Sequence, residues 1–269
     1  MKILTVLLCF ILIFSGCAAS PSGYEQLSSN EDVSSEESLI SSESSQAESS
    51  SEVESSQIET SSEESKVESK EEKEESFVSL LSASQNTDCI IAVRANGIYA
   101  TVSLHKKIND LWTCLLSTEG FVGLNGVGKP HEGSLTTPQG VFKAGKAFGV
   151  SDDPGCSREY TKVDDTHYWV DDIYSPYYNQ FVSTNDVEKE WYSAEHLIDY
   201  PVAYAYCLDT GYNPDCIAGE GSAMFLHCSL GEATAGCIAV SQSDMIYILQ
   251  NISDDTLFVI ANEEDFFSF

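Results

Sequence analysis

Cys89-Ile90-Ile91-Ala92-Val93-Arg94-Ala95-Asn96-Gly97-Ile98-Tyr99-Ala100-Thr101-Val102-Ser103-Leu104 is the stretch that decides the fold class. Its first five residues are a continuous apolar run, and from Gly97 onward apolar and polar side chains alternate with period two, the pattern of strands rather than helices. Asn96-Gly97 is a favoured tight-turn pair, so the two runs are expected to form a hairpin. Working outward, residues 112–116, 140–144 and 256–260 read as further short strands among Gly and Pro turns. Helical patterning is confined to residues 187–197 and to residues 244–251, where Met245, Ile246, Ile248 and Leu249 share a face behind Ser241 or Ser243 as N-cap. The expected architecture is mainly β, a barrel or sandwich with a few short helices.

Charge separates this part from what precedes it. The chain of 269 residues carries a formal net charge of −30. Residues 21–76 hold 17 Asp/Glu, 3 Lys and 20 Ser, while residues 77–269 hold nearly all the aromatic residues and glycines. A Ser/Glu tract with so few apolar side chains cannot bury enough surface to offset its ordering entropy, so residues 20–76 are expected to be a disordered linker. As a flexible coil it would span roughly 40–45 Å, and self-repulsion would lengthen it. Both parts are acidic, which excludes nucleic acid as a partner because no basic stripe exists to neutralise phosphates.

Residues 1–19 carry one Lys, an apolar run and then small residues, the pattern of a secretory signal. Ser15-Gly16-Cys17 resembles a bacterial lipobox, which implies lipidation of Cys17, a membrane anchor and an extracytoplasmic location facing the cell wall. Simple cleavage near Ala18 or Ala19 and a retained anchor are the alternatives, and all three export the globular part. Seven cysteines lie beyond the signal, an odd number. Cys207 and Cys216, joined by a turn-rich segment, are the most plausible disulfide pair.

The segment Gly221-Ser222-Ala223-Met224-Phe225-Leu226-His227-Cys228, followed by Thr234-Ala235-Gly236-Cys237-Ile238-Ala239-Val240, concentrates the reactive side chains. A thiol of ordinary pKa is only a few per cent thiolate at neutral pH, so a nucleophilic Cys237 needs a base, and His227 can supply it. Gly236 permits a tight turn that lets amide N–H groups face a developing oxyanion. His105, His131, His167 and His196 stand among polar neighbours and read as surface residues, and Tyr160, Trp169, Tyr177 and Tyr178 read as core or groove aromatics. A zinc site from His227, Cys228 and Cys237 is disfavoured, because adjacent strand residues point to opposite faces.

These segments resemble the active-site motif of the L,D-transpeptidase (YkuD-type) catalytic domain, a bacterial cell-wall family. The resemblance extends to Gly123-Leu124-Asn125-Gly126, Thr136-Thr137-Pro138-Gln139-Gly140, Trp169-Val170-Asp171-Asp172 and Ser175-Pro176-Tyr177-Tyr178-Asn179, the last two being similar to the branch with the shorter His-to-Cys spacing. It implies a catalytic domain over residues 89–262, with 77–88 as a transition and 263–269 as a tail. Carried over by residue, it makes Cys237 the nucleophile and His227 the proton donor and acceptor. Gly236 and Cys237 would supply oxyanion amides, the Cys228 carbonyl would orient the imidazole, and Tyr178 and Asn179 would contact substrate. Glu132 and Asp171-Asp172 read either as recognising a substrate amine or as solvated acidic loops. Ala235 and Ala239 depart from the family pattern, replacing a second His and an Asn or Arg.

What the resemblance implies is a cysteine-dependent acyltransferase that needs no metal or cofactor. It would acylate Cys237 with a peptidoglycan stem tetrapeptide, release D-Ala and pass the acyl group to an amine in a 3→3 cross-link. A carboxypeptidase or endopeptidase hydrolysing the same stems and a non-catalytic wall-binding lipoprotein are the alternatives.

Overall fold

The computed structural model describes residues 75–269. The signal, Cys17 and all but the last two residues of the Ser/Glu tract lie outside the described residues. Fifteen strands run in chain order as β1 (Cys89–Asn96), β2 (Tyr99–Ile108), β3 (Leu111–Phe121), β4 (Val127–Gly128), β5 (Thr137–Pro138), β6 (Gly140–Lys143), β7 (Ala147–Gly149) and β8 (Tyr160–Lys162), continuing as β9 (His167–Val170), β10 (Phe181–Ser183), β11 (Ala194–His196), β12 (Cys207–Asp209), β13 (Phe225–Cys228), β14 (Ile238–Val240) and β15 (Leu257–Asn262). A single α-helix among the described residues, α1 (Gln242–Asn251), joins β14 to β15. The fold is mainly β, as expected. Ten strands form one curled sheet in the order β6-β15-β1-β2-β3-β14-β13-β12-β7-β8, with a small sheet β10-β9-β11 and the pair β4-β5 beside it.

The opening hairpin is present, one residue displaced at its turn. Asn96 pairs with Tyr99, so Gly97 and Ile98 form the two-residue loop, with Gly97 at φ +63° where a side chain would be strained. The next turn, Asn109-Asp110 between β2 and β3, has both residues at positive φ, the geometry that matches strand twist in tight hairpins. β1 then pairs in parallel with β15 as well as antiparallel with β2, and its two faces enter different apolar clusters. Ile91 and Val93 point to the main core with Leu104, Phe258, Ile260 and the α1 residues Met245, Ile248 and Leu249. Ile90 and Ala92 point the other way, under Val78, Leu81, Trp112 and Phe266. This two-sided burial is why β1 reads as an unbroken apolar run. It also makes residues 77–88 and 263–269, expected as transition and tail, packed parts of the same unit.

The two expected helices part company. α1 forms with Ser241 as N-cap, its side chain accepting from the Asp244 N–H at 3.2 Å. Residues 187–197 are not helical. Trp191 is buried against Val170 and Val182, the Tyr192 N–H donates to the Asp172 carboxylate at 2.8 Å, and β11 pairs antiparallel with β9. Sheet pairing outweighs the weak helical period.

His105 is also corrected, because it is fully buried rather than on the surface. Its Nδ1 lies 2.6 Å from Ser76 Oγ and its Nε2 2.7 Å from Ser103 Oγ, with the Phe77 ring edge-on. Ser103 lies two residues away in the chain, whereas Ser76 is brought to the ring from a remote segment. Burial, aided by the Arg94 charge, pushes its pKa down to about 4. The folded state therefore refuses a proton that the unfolded chain accepts below its ordinary pKa near 6.5. Its stabilising contribution is complete above that value and is lost as the pH falls toward 4, by about 3 kcal/mol. Urea unfolding at pH 7 and pH 4 should show this loss, and His105→Gln should remove most of the difference between the two pH values.

Candidate active site

β13 alternates cleanly. Phe225 belongs to the aromatic cluster with Phe148 and Trp169, and His227 shares that face, while Leu226 and Cys228 enter the main core. β14 runs parallel to β13 with His227 opposite Ala239, and Cys237 is the residue just before it. A parallel pair thus carries His227 and Cys237 to the wall of one pocket. His227 Nδ1 sits 3.0 Å from the Cys228 carbonyl oxygen. A carbonyl only accepts, so Nδ1 holds the proton and Nε2 keeps its lone pair.

Both reactive groups are held neutral. Burial pushes the Cys237 thiol far above its ordinary value and the Glu195 charge adds to this, while the Phe225 N–H, donating to Sγ at 3.3 Å, opposes it. Burial also pushes His227 down. In this state the thiol donates to the Ala223 carbonyl at 3.1 Å rather than to the imidazole. A rotation about the Cys237 side chain is needed before its proton can pass to His227.

The loop before the cysteine is braced by two threonines. Thr234 Oγ1 donates to the Cys237 carbonyl at 2.6 Å, and Thr137 Oγ1 donates to the Gly236 carbonyl at 2.7 Å while accepting the Gly123 N–H at 2.8 Å. Three segments distant in sequence meet on one hydroxyl. Gly236 has φ +141°, and a Cβ there would come within 3.0 Å of Met224 Sδ, so only glycine fits. Its N–H donates to Thr234 Oγ1 at 3.2 Å, a long bond that an oxyanion would have to displace.

Tyr178 and Asn179, expected to contact substrate, lie behind the pocket wall. Asn179 Oδ1 accepts from Trp169 Nε1 at 2.9 Å and from the Ala223 N–H at 3.2 Å, and its amide donates to the carbonyls of Tyr212 and Asn213. Every polar atom of its side chain is committed to the scaffold. Tyr178 is equally buried, its hydroxyl donating to Glu132 and accepting the Gly221 N–H. Together they fix the 221–224 segment that places the Ala223 carbonyl against Cys237.

The pocket itself has a volume of about 430 Å³. Glu132, Asp171, Glu195 and Glu232 line it and no Lys or Arg does. The Asp171-Asp172 pair divides its work. Asp171 reaches the pocket with a buried Oδ1 that has no hydrogen-bond partner, whereas Asp172 caps a turn by accepting from the N–H groups of Tyr174 and Tyr192. Ala235 and Ala239 also line the cavity, each adding no more than a methyl group to its wall.

No protein-family model matches the chain, and no curated protein does. Among solved structures, the chain is similar to the helical cell shape determining protein Pgp2 from Campylobacter jejuni, at 14% identity and a TM-score of 0.36, over 65% of this chain and 48% of that one. The match thus spans about half the length of that protein. At this identity and TM-score the likeness assigns neither fold nor activity.

The cysteines need a correction. All seven in the described residues are free thiols, and Cys207 and Cys216 are not paired. Cys207 is in β12 opposite His227 with its side chain in the aromatic cluster, whereas the Cys216 thiol turns to the Asn179 carbonyl at 3.8 Å. Strand pairing fixes the first, and the loop carries the second away. Two pocket residues, Glu195 and Tyr204, carry no sequence signal. Glu195 sits in the segment that resembled a helix, and Tyr204 lies in a short buried 3₁₀ turn, Ala203–Ala205, that carries no motif.

Proposed function

We propose that this protein is a cysteine-dependent acyltransferase acting on peptidoglycan stem peptides. The observation that carries the reading is the convergence on one pocket of His227, in β13, and Cys237, the residue just before the parallel strand β14, with Nδ1 tied to a carbonyl and Nε2 left as proton acceptor. His227 takes the Cys237 proton as sulfur attacks the stem carbonyl, and the Cys237 amide, with that of Gly236 once displaced from Thr234, holds the oxyanion. The tetrahedral species expels D-Ala, whose amine takes the proton back from His227. The resulting thioester is attacked by a neutral amine of a second stem; the C–N bond forms as the C–S bond breaks, and His227 relays the amine's surplus proton to the departing Cys237 sulfur. The acidic pocket supports amine-bearing substrates, since a protonated amine entering it relieves repulsion among Glu132, Asp171 and Glu232. In this reading the chain is exported and held at the membrane through lipidated Cys17, with stem peptides as its partners.

The test is incubation of the purified protein with disaccharide-tetrapeptide and mass spectrometry of the products. Cross-linked dimer with loss of D-Ala is expected. Tripeptide without dimer would convert the assignment to a hydrolase, and unchanged substrate would remove it.

A further inference from the structure

We propose that Glu195 and Tyr204 are a positioning pair for the Cys237–His227 site, Tyr204 setting the imidazole and Glu195 both holding Tyr204 and opposing the thiolate. The inference rests on the reading of Cys237 and His227 as the reactive pair. The Tyr204 ring stands edge-on to His227, with centroids 5.6 Å apart and planes at 73°, and meets Phe225 in the same manner. The ring is therefore one wall of the slot in which the imidazole turns. Its hydroxyl donates to Glu195 Oε2 at 2.5 Å, at the short end of the range for a carboxylate acceptor. Glu195 in turn is placed by β11, where it lies opposite Trp169 of β9. Chance packing has no need of a carboxylate here. A tyrosine hydroxyl could be satisfied by a backbone carbonyl, without the cost of desolvating a charge.

The surroundings make the charge consequential. The titratable groups facing Glu195 are Tyr204 and Tyr200, Asp171 beyond the end of β9, Glu132 from the opposite loop, and the thiols Cys237 and Cys207. None of the pocket residues is Lys or Arg, so no cation offsets the carboxylate, and His227 is held neutral. Burial, with Asp171 and Glu132 adding to it, pushes Glu195 up to about 7. Its charge therefore appears near neutral pH, where only the small fraction of Cys237 present as thiolate can react. Each increment of pH that would release thiolate at Cys237 also brings in a like charge that disfavours it. Glutamine separates the two roles: it keeps an oxygen to accept the Tyr204 hydroxyl and loses the charge.

The experiment measures the rate of Cys237 alkylation by iodoacetamide in the full chain from pH 6 to 9, read at the Cys237 peptide by mass spectrometry. The alkylation readout needs no peptidoglycan substrate, so the charge role succeeds or fails independently of the transferase assignment, whereas the positioning role is read from stem-peptide turnover and rests on it. For the wild type, the logarithm of the rate should rise with a slope below one around pH 7. Glu195→Gln should restore unit slope and react roughly three- to tenfold faster at pH 8, since a tenfold change corresponds to one unit of pKa. Glu195→Ala, which frees Tyr204, should keep the faster thiol but lose stem-peptide turnover, and Glu195→Gln should rescue that turnover. A Glu195→Gln profile superimposable on the wild type would overturn the charge role. An alanine variant with wild-type turnover would overturn the positioning role. Should either variant fail to fold by circular dichroism, Tyr204→Phe, which keeps the ring and lets Glu195 go, decides the matter. A profile identical to the wild type with that variant would also count against the pair.

Discussion

Cys237→Ser should retain the fold and lose acyl transfer by about 10⁴-fold or more. The substitution is nearly isosteric, and a hydroxyl can donate to the Ala223 carbonyl and accept the Phe225 N–H as the thiol does. What it cannot do is ionise at a useful rate. Cys237 is already held neutral by burial and by Glu195, so the reaction depends on the intrinsic nucleophilicity of sulfur and on His227 taking the proton during attack. Serine keeps the barriers and removes that advantage. Intact-mass analysis after exposure to a carbapenem, a β-lactam that acylates such thiols in the resembled family, should show a single adduct in the wild type and none in the variant. An adduct that survives the substitution would place the nucleophile elsewhere, with the exposed Cys114 the first alternative to map.

Asn179→Ala should destabilise the protein by about 3–5 kcal/mol, because it strands several buried partners at once. The indole N–H of Trp169, the N–H of Ala223 and the carbonyls of Tyr212 and Asn213 all lose their partner in a site that is almost closed to water. Backbone strain adds to this, since Asn179 has φ +55°, a conformation asparagine tolerates better than alanine. A urea titration should show the loss as a lower midpoint with unchanged slope. The damage should also reach the active site. Ala223 sits at φ +54° under the hold of Asn179, and once released its carbonyl no longer receives the Cys237 thiol, so Cys237 should alkylate faster in the variant. A change below 1 kcal/mol would mean that water replaces the amide, and would reopen Asn179 as a pocket residue.

These two residues mark the limits of what could be seen in the chain before folding. Cys237 was legible because its setting is local: a glycine before it, an apolar strand after it and a histidine at the end of the preceding strand. Asn179 was legible as a residue of note but not in its role. Its partners come from positions 169, 212, 213 and 223, and no spacing reveals that three segments converge on one amide. Glu195 and Tyr204 were hidden for the same reason, and His105 was misread because Ser103 looks like a solvent-facing neighbour and its other partner, Ser76, comes from a remote segment. The segment at 187–197 failed differently. Its helical period was real but weak, and pairing with β9 together with burial of Trp191 outweighed it.

By itself, the sequence determined a mainly β domain, the β1–β2 hairpin and the capped helix α1. All of these rest on interactions between residues close in the chain, where periodicity, turn chemistry and capping act directly. Tertiary structure alone decided which polar side chains are buried, which cysteines stay unpaired and how the charges around the thiol are arranged. Those depend on distances between remote segments, and electrostatic and packing energies are set by such distances and by the exclusion of water rather than by order along the chain.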